Sequence, residues 1–256
     1  IDSAAATAAA ERLVTSDKVN AIVGADCSGV TSAVLQNVAR ANGTVMISPS
    51  ATSPGLSTAD DDGLFFRTAP SDAREGQVMT DILVEMGIKS VAVTYTNNDY
   101  GKGLSDSFIS AFEDAGGKIT VNISHEDGKA DYSSEIATLA SAGGDILVIA
   151  GYLDQGGRAI IDGSLDTGAW DRFVLPGGMI GDNILTIGDG LNGSFGQVAG
   201  TDSPGAAIFS DIAKAAGFDG TSPFTPESYD AAALILLAMQ AAGSSDSSKL
   251  KDKVFD

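Results

Sequence analysis

Short hydrophobic segments alternate along the chain with longer amphipathic stretches. The short segments are rich in β-branched residues and read NAIVGA, TVMIS, SVAVTY, KITVNIS, DILVIAG and RFVLP. Strands of a parallel sheet are covered on both faces, so they appear as nearly continuous apolar runs. The alternation of such runs with helix-length amphipathic stretches indicates βαβ units. We therefore predict an α/β fold built on parallel sheets.

The amphipathic stretches predict where the helices lie. The predicted helices span residues 4–16, 30–42, 72–86, 104–115, 133–142, 155–167, 205–216 and 227–242. Glycines follow seven of these stretches, at the position where a left-handed residue ends a helix; they are Gly43, Gly87, Gly116, Gly143, Gly168, Gly217 and Gly243. Asp99 is expected to cap a helix that starts near Gly101.

Composition and charge exclude several classes of protein. With 256 residues and 43% hydrophobic side chains, the chain can bury a substantial core in one large or two modest domains. Fifteen basic and 34 acidic residues give a net charge of −19, which disfavours nucleic acid and anionic lipid surfaces. No apolar run approaches the roughly 18 residues that cross a bilayer, and no signal peptide is recognisable at the start. The single cysteine, Cys27, excludes an internal disulfide.

Polar side chains follow the predicted strands. In open parallel sheets, ligands bind beyond the carboxyl ends of the strands, near helix N-termini. The segments at these ends are 26–29 (DCSG), 49–54 (PSATSP), 96–101 (TNNDYG) and 152–154 (YLD). They carry hydroxyls, amides and tyrosines and no basic residue. This composition suits a site that holds a small polar molecule by hydrogen bonds.

Two segments are expected to cross between two lobes. The segment LFFRTAPSD at 64–72 combines a strand, a proline and a helix-capping residue, and residues 193–204 are rich in glycine and poor in helix formers. The predicted lobe 1 consists of residues 1–69 and 199–256, and lobe 2 of residues 70–198.

Five motifs occur in a familiar order: GADCSGVTSA, VMISPSATSPGLS, FFRTAPSD, NNDYGKGLSDSF and GYLDQGG. In this order they resemble the leucine/isoleucine/valine-binding protein family, the type I periplasmic binding proteins that serve ABC importers. The resemblance covers essentially the whole chain, and ISPSAT and DYGKGL are its most specific elements. It implies two doubly wound, Rossmann-like lobes joined by hinge strands, which close on the ligand. It also implies a periplasmic location, a membrane permease as partner, and neither cofactor nor metal.

The resemblance implies six ligand-binding residues: Ser28, Ser50, Ala51, Thr52, Tyr100 and Tyr152. Hydroxyls of Ser28 and Thr52 would bind the α-carboxylate of the ligand. Residues 50 and 51 would supply backbone groups, including a carbonyl that accepts a hydrogen bond from the ligand's ammonium. The two tyrosines would contact the ligand from the second lobe. The implied ligand is a branched-chain or other aliphatic amino acid.

The sequence departs from this family where an acidic residue would pair with the ammonium, because Gly178 occupies that place. A buried ammonium without a charged partner is costly. Asp154, Asp182 or another carboxylate would then substitute, or the ligand is an aromatic acid or an amide. A ligand-sensing domain of the same fold is a further alternative. The family's first strands and last strands also have no counterpart here, so both ends are expected to be truncated.

Enzymatic chemistry is not expected. Ser28 does not lie in a G-x-S-x-G motif, and the single histidine, His125, is expected at the surface or at a strand end of the other lobe. YGKGLS lacks the Ser or Thr that follows the lysine of a phosphate-binding loop. The acidic turn at 59–63 lacks the ligand spacing of a calcium loop. Without a cluster of titratable groups, a hydrolase is disfavoured.

Overall fold

A computed structural model describes residues 2–200 and 204–255, apart from the side chain of Asp182. The chain forms two compact units, Ile1–Pro70 with Gly200–Asp256, and Ser71–Ala199. These boundaries lie one residue from the positions expected from the sequence. Part of the second predicted crossing, residues 201–203, lies outside the described residues.

The predicted α/β fold with parallel sheets is confirmed. The strands are β1 Ala21–Val23, β2 Val45–Ser48, β3 Phe65–Arg67, β4 Ser90–Thr96, β5 Lys118–His125, β6 Ile146–Ala150, β7 Phe173–Leu175 and β8 Phe195–Gly196. The α-helices are α1 Ser3–Thr15, α2 Ser28–Val34, α3 Arg40–Asn42, α4 Asp72–Glu85, α5 Asp99–Asp114, α6 Ser133–Ala142, α7 Gly157–Thr167, α8 Pro204–Ala216, α9 Thr225–Ala242 and α10 Ser247–Leu250. A π-helical segment, Leu35–Ala39, joins α2 to α3.

The start of α5 corrects one expectation from the sequence. Asn98, not Asp99, is the capping residue, because its backbone is extended and its side-chain oxygen accepts from the N–H groups of Tyr100 at 3.0 Å and Gly101 at 3.1 Å. The helix therefore begins at Asp99, five residues before the predicted span 104–115 and two residues before Gly101. This early start places Tyr100 in the first turn of the helix, directly beyond β4.

The first unit has a three-stranded parallel sheet in the order β1-β2-β3. Successive residues of β2 point to opposite faces of the sheet. Met46 belongs to a core formed with α1, α2 and the π-helical segment, whereas Val45 and Ile47 belong to a core formed with α9 and α10. All three are fully buried. Helices therefore cover both faces, which explains the unbroken hydrophobic run at this strand.

The second unit has a five-stranded parallel sheet in the order β5-β4-β6-β7-β8. Helices α4 and α5 pack on one face, and α6 and α7 pack on the other. The chain leaves β4 toward β5 and then crosses to β6 on the opposite side of β4. This reversal is a topological switch point, and the crevice beyond the strand ends there is the usual ligand position in such sheets.

A close helix contact fixes the start of α4. A Cβ atom at Gly76 would lie 2.7 Å from the backbone nitrogen of Phe108, so α4 and α5 approach too closely for any side chain at this position. Gly76 is in the second turn of α4, and its neighbour Glu75 is thereby held at one end of the sheet. Among the described residues, no helix is both long and apolar enough to span a membrane.

Candidate functional site

In the first unit, Ser28 and Thr52 come together at the carboxyl end of the sheet. Ser28 is the first residue of α2, after β1, and Thr52 follows β2. The Ser28 Oγ accepts a hydrogen bond from the backbone N–H of Ser53 at 3.1 Å. Ser28 and Thr52 are 1% and 6% exposed, so both are held in fixed positions within the unit. Their binding of a ligand stays a prediction.

Thr52 has hydrogen-bonding groups that the fold does not use. None of the described residues forms a hydrogen bond with its hydroxyl or its N–H. Ser50 differs, because its Oγ donates to the Asp26 carboxylate at 2.5 Å and to the Asp26 carbonyl at 3.1 Å. The backbone N–H of Ser50 lies 3.3 Å from the Ser48 hydroxyl. The Ser50 side chain is thus directed toward the loop after β1.

Arg67 holds the loop after β2, a role that the sequence interpretation missed. Its guanidinium donates to the carbonyl oxygens of Ala51 at 3.1 Å and Ser53 at 2.8 Å, and also to the Ser57 hydroxyl. The Ala51 N–H donates to Ser48 Oγ at 3.0 Å. Residues 50 and 51 were expected to supply a carbonyl that accepts from the ligand's ammonium, and of their two carbonyls that of Ala51 already accepts from a cation. Arg67 is part of the FFRTAPSD motif, and the sequence predicted only that this segment crosses between the lobes.

In the second unit, Tyr100 and Tyr152 meet at the switch point. Tyr100 follows β4 and Tyr152 follows β6, and their ring centroids are 5.0 Å apart with an interplanar angle of 32°. The Tyr100 ring is buried in the core between the sheet and α4 and α5. Its hydroxyl oxygen accepts from the Gly178 N–H at 3.1 Å. The sheet therefore brings together the two tyrosines and the loop after β7, and ligand contact by these tyrosines stays a prediction.

Gly178 has no room for a side chain. A Cβ atom there would lie 2.5 Å from the carbonyl oxygen of Gly151, 2.9 Å from Tyr100 Oη and 3.0 Å from Tyr100 Cε1. Of the suggested substitutes, Asp154 is exposed and accepts from Asn183 Nδ2 at 3.2 Å. The side chain of Asp182 lies outside the described residues. The absence of an acid at position 178 is thus fixed by packing against Gly151, the residue after β6, and against Tyr100 of α5.

Another carboxylate reaches the same loop. Glu75 is in the first turn of α4 and is half-buried. Its Oε1 accepts from the Gly177 N–H at 3.1 Å and from Gln197 Nε2 at 3.1 Å. The sequence interpretation missed Glu75, because 102 residues separate it from Gly177. The spacing of motifs along the chain carries no signal for such a contact.

His125 was expected at the surface or at a strand end. It is at a strand end and is buried. It is the last residue of β5 and is 2% exposed. Its Nδ1 is 2.8 Å from Thr94 Oγ1, and no described residue bonds to Nε2. Burial lowers the pKa of His125, and the nearby acidic side chains oppose this shift. The imidazole and Ser28 belong to different units.

The acidic side chains of the described residues do not form a metal site. No set of three or more His, Cys, Asp or Glu side chains there could hold a metal ion. In the acidic turn at 59–63, Asp62 forms an ion pair with Arg40 at 2.8 Å, and Asp61 accepts from the Gly63 N–H at 2.8 Å. The turn is therefore stabilised by its own protein contacts.

Each of the two α/β units carries polar groups at the carboxyl ends of its parallel strands. This architecture is typical of proteins that bind small molecules. The chain belongs to the periplasmic binding protein family, whose model matches residues 2–254. This finding confirms the resemblance found in the sequence motifs.

Individual relatives agree with the family. The chain is 31% identical over 241 residues to Leu/Ile/Val-binding protein homolog 3 from Brucella melitensis, covering 92% of this chain and 64% of that protein. It is 26% identical to a leucine-binding protein from Thermotoga maritima, with a TM-score of 0.88 over 99% of this chain and 73% of the other. It is also 26% identical to a branched-chain amino acid transporter binding protein from Streptococcus pneumoniae in complex with isoleucine, with a TM-score of 0.81 over 99% and 72% of the two chains.

Proposed function

We propose that this chain is the ligand-binding part of an extracytoplasmic solute-binding protein that delivers an amino acid to an ABC importer. The proposed ligand is a branched-chain or other aliphatic amino acid. Relatives named as Leu/Ile/Val-binding and leucine-binding proteins support this ligand class. The proposed partner is the membrane permease of the importer, and the proposed location is the periplasm.

The observation that carries the proposal is the arrangement of Ser28 and Thr52. A carboxylate is bound by donors, and hydroxyl and backbone N–H groups at a helix N-terminus are suitable donors. Ser28 is at the start of α2, and its Oγ is 3.1 Å from the nitrogen of the residue after Thr52. The unused hydroxyl and N–H of Thr52 can then donate to the ligand's carboxylate without breaking any contact of the fold.

An aromatic acid is the second candidate ligand, and the packing around Gly178 favours it. An acid without an ammonium needs no carboxylate partner, and position 178 cannot hold one. Both candidates share the carboxylate, so the contacts of Ser28 and Thr52 do not distinguish them. The discriminating group is the ammonium.

A thermal-shift panel tests the proposed function. Aliphatic amino acids, the corresponding amides and hydroxybenzoic acids are each added to the purified protein, and the melting temperature is measured. A ligand present at one hundred times its Kd adds roughly 2.7 kcal/mol to the free energy of unfolding. Stabilisation by leucine, isoleucine or valine supports the proposal. Stabilisation by the aromatic acids alone would replace it with the second candidate, and no stabilisation by any carboxylate would refute both.

A further inference from the structure

Glu75 places a negative charge at the strand-end loop that contacts the tyrosine pair of the second unit. We propose that this carboxylate binds the ammonium group of the ligand and so makes the site selective for amino acids over acids that lack the amino group. This inference rests on the proposed function. Four features of the described residues support it.

The first feature is position. Glu75 Oε1 is 3.1 Å from the Gly177 nitrogen, and the next nitrogen along the chain, that of Gly178, is 3.1 Å from Tyr100 Oη. Consecutive backbone nitrogens lie about 3 to 3.5 Å apart. The carboxylate oxygen and the tyrosine hydroxyl are therefore at most about 10 Å apart along this path. A single small ligand at this edge of the sheet is long enough to contact both groups.

The second feature is the uncompensated charge of Glu75. Its hydrogen-bond donors are the Gly177 N–H and the Gln197 amide, and both are neutral. No ion pair within the described ranges, 2–200 and 204–255, includes Glu75. Its Oε2 accepts no hydrogen bond there either. A half-buried carboxylate with one unused oxygen is a suitable partner for an ammonium group.

The third feature is a second acceptor beside Glu75. Gln197 Nε2 donates to Glu75 Oε1 at 3.1 Å, so the Gln197 amide lies beside the carboxylate. The Oε1 of Gln197 is buried, and none of the described donors bonds to it. A buried acceptor without a donor is costly. An ammonium has three N–H donors, which match a site with more than one unused oxygen.

The fourth feature is that two other carboxylates at the strand ends, Asp154 and Asp26, are more exposed than Glu75. Asp154 is exposed and accepts from Asn183, and Asp26 is exposed and accepts from the Ser50 hydroxyl. An exposed carboxylate interacts weakly with a cation, because water screens the charge. Glu75 combines partial burial with a rigid position, because the packing of Gly76 against Phe108 fixes the start of α4.

Glu75 also has a structural role, because its hydrogen bond to Gly177 connects α4 to the loop after β7. The experiment must separate this role from ligand binding. A Glu75→Gln variant makes this separation, since its amide oxygen still accepts from the Gly177 N–H while the charge is removed. Glu85→Gln is the matched control, because Glu85 is exposed at the last position of the same helix.

Isothermal titration calorimetry with L-leucine and with 4-methylpentanoate, its analogue without the amino group, tests the inference. We expect Glu75→Gln to bind L-leucine about 10- to 100-fold more weakly, as for the loss of a charged hydrogen bond. We expect its affinity for 4-methylpentanoate to stay within about threefold of wild type, and Glu85→Gln to match wild type for both ligands.

Four results would overturn the inference, and each is distinct. Wild-type affinity of Glu75→Gln for L-leucine would refute the role of Glu75 and leave the proposed function intact. An equal loss for both ligands would show a structural role. A selective loss in Asp26→Asn or Asp154→Asn, with none in Glu75→Gln, would assign the ammonium to that aspartate. A wild-type protein that binds no amino acid would instead refute the proposed function, and this inference with it.

Discussion

A single methyl group added at Gly178 tests the packing at the switch point of the second unit. In Gly178→Ala, the new Cβ would lie 2.5 Å from the Gly151 carbonyl oxygen and 2.9 Å from Tyr100 Oη, well inside contact distance. The loop must therefore shift, and the hydrogen bond between the Gly178 N–H and Tyr100 must lengthen. Gly177→Ala is the matched control, because its Cβ would meet only Glu75 Oε1, at 3.9 Å.

The expected difference follows from the two environments. Inserting a methyl group into a well-packed site costs about 1 to 3 kcal/mol, and weakening the hydrogen bond adds about 0.5 to 1.5 kcal/mol. We therefore expect Gly178→Ala to lower the free energy of unfolding by about 2 to 4 kcal/mol. Gly177→Ala keeps its contacts, and we expect it to change that energy by less than about 1 kcal/mol.

Urea unfolding followed by tryptophan fluorescence is the appropriate assay. The single tryptophan, Trp170, is buried in the second unit, so its emission reports on the unit that carries the substitution. Far-UV circular dichroism reports on both units and shows whether they unfold together. Equal urea midpoints for the two variants would refute the proposed tight packing at Gly178. The same packing predicts that Gly178→Asp weakens amino acid binding instead of adding an ammonium partner.

Three further predictions concern other residues. Thr52→Val removes an unused hydroxyl, so we expect leucine affinity measured by calorimetry to fall about 10-fold or more with little loss of stability; an unchanged Kd would contradict this. In Arg67→Lys, the ammonium cannot keep both contacts with the Ala51 and Ser53 carbonyls, so amide hydrogen exchange at residues 51–57 should accelerate. Exchange at the wild-type rate would show that Arg67 does not hold this loop. Because burial lowers the pKa of His125, this imidazole binds a proton below about pH 6.5 in the unfolded chain but stays neutral in the native state. The urea midpoint should therefore decrease as the pH is lowered from 7 to 5. If the midpoint of His125→Asn depends on pH as steeply as that of the wild type, His125 is not the group responsible.

The fold could be predicted from the sequence because its signals are local. A strand buried on both faces, such as β6, is a short apolar run, and each flanking helix has an apolar stripe of helical period. The start of α5 was the least accurate of the predicted boundaries. Asn98 and Asp99 cap helices about equally well, so only the backbone conformation decides which of them does so.

The candidate site was predictable only in part, for a physical reason. Ser28, Thr52, Tyr100 and Tyr152 directly follow strands, and parallel strands bring their carboxyl ends to one edge of each sheet. His125 also ends a strand, but the sequence does not show that neighbouring elements cover this end and bury the imidazole. Burial of an individual residue depends on elements distant along the chain, which a periodic pattern does not specify.

Arg67 and Glu75 give the two sheet edges opposite hydrogen-bonding character. Arg67 donates to two carbonyls of the loop after β2, which occupies acceptors there and leaves the donors of Thr52 unused. Glu75 accepts from an N–H of the loop after β7, which occupies a donor there and leaves carboxylate and amide oxygens unused. The first edge is therefore suited to a carboxylate and the second to an ammonium.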